Sequence, residues 1–85
     1  MASMGTSVGT VIRWDEEAGG AIIEVPDLPG DCWAETSVVA RDTASGTLRA
    51  GQVVAVEWTE PGAAGLPFRA VRVQQWEDLQ GTPGG

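Results

Sequence analysis

The run QVVAVEW, Gln52 to Trp58, constrains this chain more than any other stretch. Val54, Val56 and Trp58 fall on one face of an extended strand, and Ala55 and Glu57 on the other. Four more short runs rich in β-branched or aromatic residues accompany it: Val8 to Trp14, Ala21 to Val25, CWAETSVV from Cys32, and FRAVRV from Phe68 to Val73. In the third run Cys32 and Ala34 oppose Trp33 and Glu35. In the last, Arg69, Val71 and Val73 alternate with Phe68, Ala70 and Arg72, which sets Arg69 and Arg72 on opposite faces. The acidic joint DEEAGG links the first two runs as a hairpin, Pro26 closes the second, and DLPGD is a turn. ARDTASGTLRAG, Ala40 to Gly51, reads as a long polar connection anchored by Leu48, and TEPGAAGLP as a loop. No segment sustains a helical period; QQWEDL offers about one helical turn.

Five short strands in 85 residues predict a single all-β domain. At this size roughly 60% of the unfolded surface is buried, enough for one small core. A five-stranded antiparallel OB-type barrel removes exposed strand edges and is the expected fold; a flat meander or an SH3-like barrel is its competitor. The expected boundaries are a frayed or vector-derived segment over residues 1–7, the barrel over 8–76 and a tail over 77–85.

Charge limits the partners. All five basic residues are arginines, lysine and histidine are absent, and twelve carboxylates leave a formal net charge of -7. Such a field repels polyanions and attracts basic partners, although acidity also serves solubility alone. A single cysteine, Cys32, permits no intrachain disulfide. Without a neighbouring cation, a histidine or a second thiol, it reads as a small buried apolar residue rather than a nucleophile or metal ligand. Asp15-Glu16-Glu17 lacks the alternating spacing of a calcium loop and reads as a solvated hairpin tip. No nucleophile sits beside a base and no phosphate-cradling motif is present, so a non-enzymatic protein without cofactor or metal is expected. No apolar run approaches the roughly 18 residues of a membrane span and no leader is evident, which points to the cytoplasm.

The order of the pieces resembles the bacterial cold-shock domain. They are Gly9-Thr10-Val11, the Gly19 to Val25 segment, Asp31 to Val39, and Thr47-Leu48-Arg49-Ala50-Gly51-Gln52-Val53-Val54, with Ala70 to Val73 suiting the last strand. The T-L-x-x-G-Q-x-V piece is the most specific, and the likeness spans about residues 8 to 74. It implies single-strand binding, with rings on the outer face of the first three strands stacking on bases at about 1–3 kcal/mol each. That face is largely stripped here. The family's Lys-Trp-Phe becomes Ile12-Arg13-Trp14, and Lys-Gly-Phe-Gly-Phe-Ile becomes Ala18 to Ile23. Val-Phe-Val-His-Phe becomes Cys32-Trp33-Ala34-Glu35-Thr36, and a further expected Phe falls near Ser45.

The candidate partner face is therefore Arg13, Trp14, Ile22, Trp33 and Glu35. Trp33 either contacts a partner or lies over Ile22 to shield the sheet. Arg13 is expected to pair across strands with Glu24 or Glu35, and Trp14 to sit at the rim of the core. Trp58 reads as core, and Trp76 with Leu79 as a cover for the barrel's open end. Two functions follow. The first is a binding module whose remade face docks a protein or a second copy. The second is weak single-stranded RNA or DNA binding through Trp33, Trp14 and Arg13.

Overall fold

The computed structural model describes residues 3–75. Strands β1 (Met4–Asp15), β2 (Gly20–Glu24) and β3 (Cys32–Glu35) come first. Helix α1 (Thr36–Asp42) follows, then β4 (Val53–Thr59) and β5 (Phe68–Gln75). The strands close a barrel in the order β1-β2-β3-β5-β4, a small OB-like all-β fold.

The barrel is mixed, not wholly antiparallel as expected. Four seams are antiparallel, while β3 and β5 run parallel through the pairs Cys32–Phe68 and Trp33–Arg69. Parity requires this: directions cannot alternate around a ring with an odd number of strands. The parallel seam is also the shortest, so most of that edge of β5 must find other partners. Arg41 and Asp42, at the end of α1, supply them. The Arg41 guanidinium donates to the Val71 carbonyl at 2.7 Å, and the Asp42 carboxylate accepts from the Val73 amide at 2.9 Å. Arg41 Nε also donates to Asp42 Oδ1 at 2.7 Å, which holds the two side chains as one clamp.

Helix α1 replaces the second half of the expected third strand. TSVV carries strand-favouring β-branched residues, and seven residues are too few to display a helical period. Tertiary packing decides the outcome. Val39 is wholly buried in the core, and Thr43 bonds back to the Val39 carbonyl through both its amide and its hydroxyl.

The barrel begins earlier than expected. Residues 4–7, read from sequence as frayed, pair with β4 from Met4–Thr59 to Ser7–Val56. Gly5, Ser7 and Gly9 take the inward positions there and carry no hydrophobic signal. Their smallness has a purpose. A Cβ on Gly5 would lie 2.8 Å from the Trp58 ring, and one on Gly9 would lie 2.8 Å from Ile23. Trp58 meets Phe68 edge-to-face at 5.3 Å and donates its indole N–H to Ser7 Oγ at 3.2 Å. It is half-buried against the core of Val11, Ile23, Val25, Leu48, Val54, Val56 and their neighbours.

Two β-bulges change which side chains face outward. In β1 the register steps from Val11–Ile23 to Arg13–Ile22, so Ile12 is extra. Val11 and Trp14 can then both turn toward the core, while Ile12 and Arg13 stay exposed. In β5 the register steps from Trp58–Ala70 to Glu57–Arg72, so Val71 is extra. Simple alternation separates Arg69 from Arg72; the bulge returns both to the exposed surface.

The clamp gives a test. The hydrogen bond from Arg41 holds the Asp42 carboxyl below its ordinary value of 3.8, with the Val73 amide acting in the same direction. A folded-state pKa below the unfolded one adds stability above the ordinary value, and that stability is lost as pH falls through the lowered one. Denaturant titrations should show Asp42→Ala costing about 1–3 kcal/mol at neutral pH, because the Val73 amide loses its acceptor. Asp42→Asn, which keeps an acceptor but no titrating proton, should flatten the acid limb. An acid limb identical to wild type would refute the clamp.

Candidate interaction surface

Register places four of the outward residues in one transverse row. Arg13 pairs with Ile22, Ile22 with Trp33, and Trp33 with Arg69, crossing β1, β2, β3 and β5. Arg69 was not among the residues singled out from sequence, because it enters the row only through the parallel seam.

The row does not present an open ring. Trp33 is opposite in parity to the core residues Cys32 and Ala34, yet only 6% of its surface is exposed. Gly20 makes this close seating feasible: a Cβ there would meet the Trp33 ring at 2.7 Å and collide with the Ala34 carbonyl. Ile22, directly opposite, is half-buried. Trp14 turns inward beside Ala21 and packs on the core, with its buried indole N–H unpartnered within the described residues.

The cations of the row are also engaged. Arg13 pairs with Asp15 on its own strand, two residues on, and not across strands with Glu24 or Glu35 as expected. Asp15 is a turn residue as well. Its carboxylate accepts from the Ala18 amide at 3.0 Å and its carbonyl from the Gly19 amide at 2.9 Å, with Gly19 at φ 87°. The Ala18 amide and then the Arg13 guanidinium lower the pKa of Asp15. The hairpin tip is thus built around one carboxylate, leaving Glu16 and Glu17 exposed. Arg69 donates from Nε to the Pro61 carbonyl at 3.2 Å. Glu35 is exposed at the N-terminal cap of α1 and accepts the Ser37 hydroxyl at 2.6 Å.

A different face carries the exposed apolar groups. From Met4 to the bulge residue Ile12, β1 directs Met4, Thr6, Val8, Thr10 and Ile12 outward. Beside it β4 directs Val53, Ala55 and Glu57 outward, with Val8 opposite Ala55 and Thr10 opposite Val53. Met4, Val8, Ile12 and Val53 are 73%, 43%, 46% and 37% exposed. Among the described residues the charges bordering this face are Glu57 and, on β5, Arg72, which approach at 3.7 Å, and Glu24 on β2, which stands opposite Thr10. Sequence reasoning passed over it in part because Met4 and Thr6 lie in the N-terminal residues read as frayed. The signal was the alternation of Thr6, Val8 and Thr10 with Gly5, Ser7 and Gly9.

A shallow cleft of about 260 Å³ borders the same face, lined in part by Thr6, Asp42, Glu57 and Arg72. Asp42 is committed to the β5 clamp there. Among the described residues no cluster of three His, Cys, Asp or Glu side chains could hold a metal ion, and no helix is long and apolar enough to cross a membrane. Trp76 and Leu79, expected to cover the barrel's open end, lie outside the described residues.

This geometry defines a small OB-like barrel with a closed wall and two chemically distinct outer faces. No protein-family model matches the chain, and no curated protein matches it.

Cys32 is fully buried inside the barrel, and burial pushes its thiol up to about 12. Native protein at pH 8 should therefore react with a disulfide reagent only as fast as the barrel opens, with full labelling in denaturant. Rapid stoichiometric labelling of folded protein would contradict the closed wall around β3.

Proposed function

We propose that this chain is a non-enzymatic binding module, a diverged relative of the cold-shock domain, whose outer sheet surface docks a protein. One observation supports this reading best: no aromatic ring among the described residues is exposed, whereas four aliphatic side chains are. Single-strand binders take much of their affinity from bases stacked on open rings. Phe68 and Trp33 are buried, Trp14 and Trp58 half-buried. The formal charge of -7 acts in the same direction, since phosphate binding draws on released counterions and needs unengaged cations. Arg13, Arg41 and Arg72 each face a carboxylate. A cytoplasmic setting fits a lone buried thiol.

A second reading, weak binding of single-stranded RNA or DNA, draws on the transverse row, where Arg13 and Arg69 flank Trp33 across adjacent strands. If Trp33 swung out, the row would offer one ring between two guanidinium groups.

Titration with labelled oligo-dT or oligo-U separates the readings. Binding no tighter than about 10⁻⁴ M at physiological salt is expected, a non-specific level. Micromolar affinity with tryptophan quenching, lost in Trp33→Ala, would reverse the order.

A further inference from the structure

We infer that the edge of β1 from Met4 to Val8 takes an extended basic segment of another protein as an added strand, which rests on the protein-docking reading and says where and what it docks. The ladder to β4 fixes which way the main chain points. The Glu60 amide donates to the Ser3 carbonyl, and the Val11 amide to the Gln52 carbonyl. Bonded positions alternate along an antiparallel pair, so Gly5, Ser7 and Gly9 direct their N–H and C=O groups to β4. Met4, Thr6, Val8 and Thr10 direct theirs the other way.

On that side Thr10 has a partner, Glu24 of β2. Continuing this register sets Pro26 opposite Val8, and proline has no N–H to donate. The chain turns away there, with the Leu28 amide donating to the Val25 carbonyl at 2.9 Å. Met4, Thr6 and Val8 each keep an N–H and a C=O without a partner among the described residues. Exposed edges are ordinarily blunted by charges, proline or a bulge. The stretch MGTSVG has no charge and no proline, its bulge comes later at Ile12, and Met4, Thr6 and Val8 are exposed.

These groups select the occupant. A row of main-chain donors and acceptors at strand spacing is matched by extended backbone, with Met4 and Val8 beside it to meet alternate side chains of the added strand. Charge selects the kind of strand. Glu24, opposite Thr10, and Asp27, in the turn that ends β2, are exposed and pair with no cation among the described residues. They stand at the end of the open edge, within a field of -7, where lysine or arginine of an incoming segment meets them. A second copy would bring the same two carboxylates and the same net charge, which disfavours it. Met4 to Val8 spans about 13 Å at about 3.3 Å per residue, so the added strand makes few bonds and dissociates readily.

The test uses a synthetic peptide of about ten residues, alternating valine and threonine with two lysines at each end, a length typical of strands. It is added to the full chain and followed by amide NMR and hydrogen exchange. In the free protein the amides of Met4, Thr6 and Val8 should exchange at least tenfold faster than those of Gly5, Ser7 and Gly9. The peptide should slow the first three severalfold, saturating below about 1 mM at about 20 mM NaCl and binding more weakly at about 500 mM. Thr6→Pro removes an edge N–H that the fold does not use and should abolish binding with unchanged circular dichroism, whereas Thr6→Val should retain it. A peptide N-methylated at alternate residues should also fail, a control that leaves the protein unaltered. Glu24→Gln should weaken binding severalfold at low salt, and a peptide with glutamate for lysine should bind at least tenfold more weakly. Absence of saturable binding, equal binding of the glutamate or N-methylated peptide, or protection of Met4, Thr6 and Val8 already in the free protein overturns the inference. So does their protection on concentrating the protein alone, which would put a second copy at the edge. A failed peptide with negligible oligonucleotide binding would move docking off this edge and spare the protein-docking reading; micromolar oligonucleotide binding would remove that reading itself.

Discussion

A ring of five strands cannot alternate in direction all the way round, and the rest of this structure follows from where the odd seam falls. Placing it between β3 and β5 leaves two paired positions, Cys32–Phe68 and Trp33–Arg69, to close the wall. The remaining edge of β5 would expose unpaired amides and carbonyls, which carry a free-energy cost when shielded from water. Arg41 and Asp42 meet that need with side-chain atoms, one donating to Val71 and the other accepting from Val73. The helix that delivers them is short, and its buried residue Val39 ties it to the core. Wall closure, helix position and the shape of the β5 edge are therefore one solution to one parity constraint.

The same geometry determines what the surface can recognise. Bulges at Ile12 and Val71 each insert one residue, and each reassigns the faces beyond it. Through the first, Trp14 turns to the core and Arg13 outward, where Asp15 engages it. Through the second, Arg72 joins Arg69 on the exposed surface. Trp33, which sequence alternation sends outward, is seated against the wall because Gly20 leaves room for its ring. The face that the cold-shock resemblance assigns to bases thus holds a covered indole between two engaged guanidinium groups. The face made by β1 and β4 holds uncovered aliphatic side chains.

Much of this was legible in the sequence. Period-2 alternation located β4 and most of β5, the acidic glycine-containing joint located the β1–β2 hairpin, and the spacing of the runs indicated an OB-type barrel. Three features were not legible, each for a physical reason. The N-terminal half of β1 has small residues inward, so burial leaves no hydrophobic trace. Helix α1 is shorter than two turns and made of residues that favour strands. The bulges shift parity by one position without any glycine to mark them. Of the expected partner face, Arg13, Ile22 and Trp33 do stand in one row, and Glu35 lies further along β3. Which of them is open to solvent depended on Gly20 and Asp15, whose packing and pairing no alternation rule conveys.

The central claim is that the β1–β2–β3 face, with its covered indole and engaged guanidinium groups, does not hold bases. Backbone amide NMR on the protein titrated with oligo-dT addresses it residue by residue. The account predicts no saturable shifts with the oligonucleotide. Shifts that saturate on Gly20, Ile22, Trp33 and Arg69 when oligo-dT is added would contradict it.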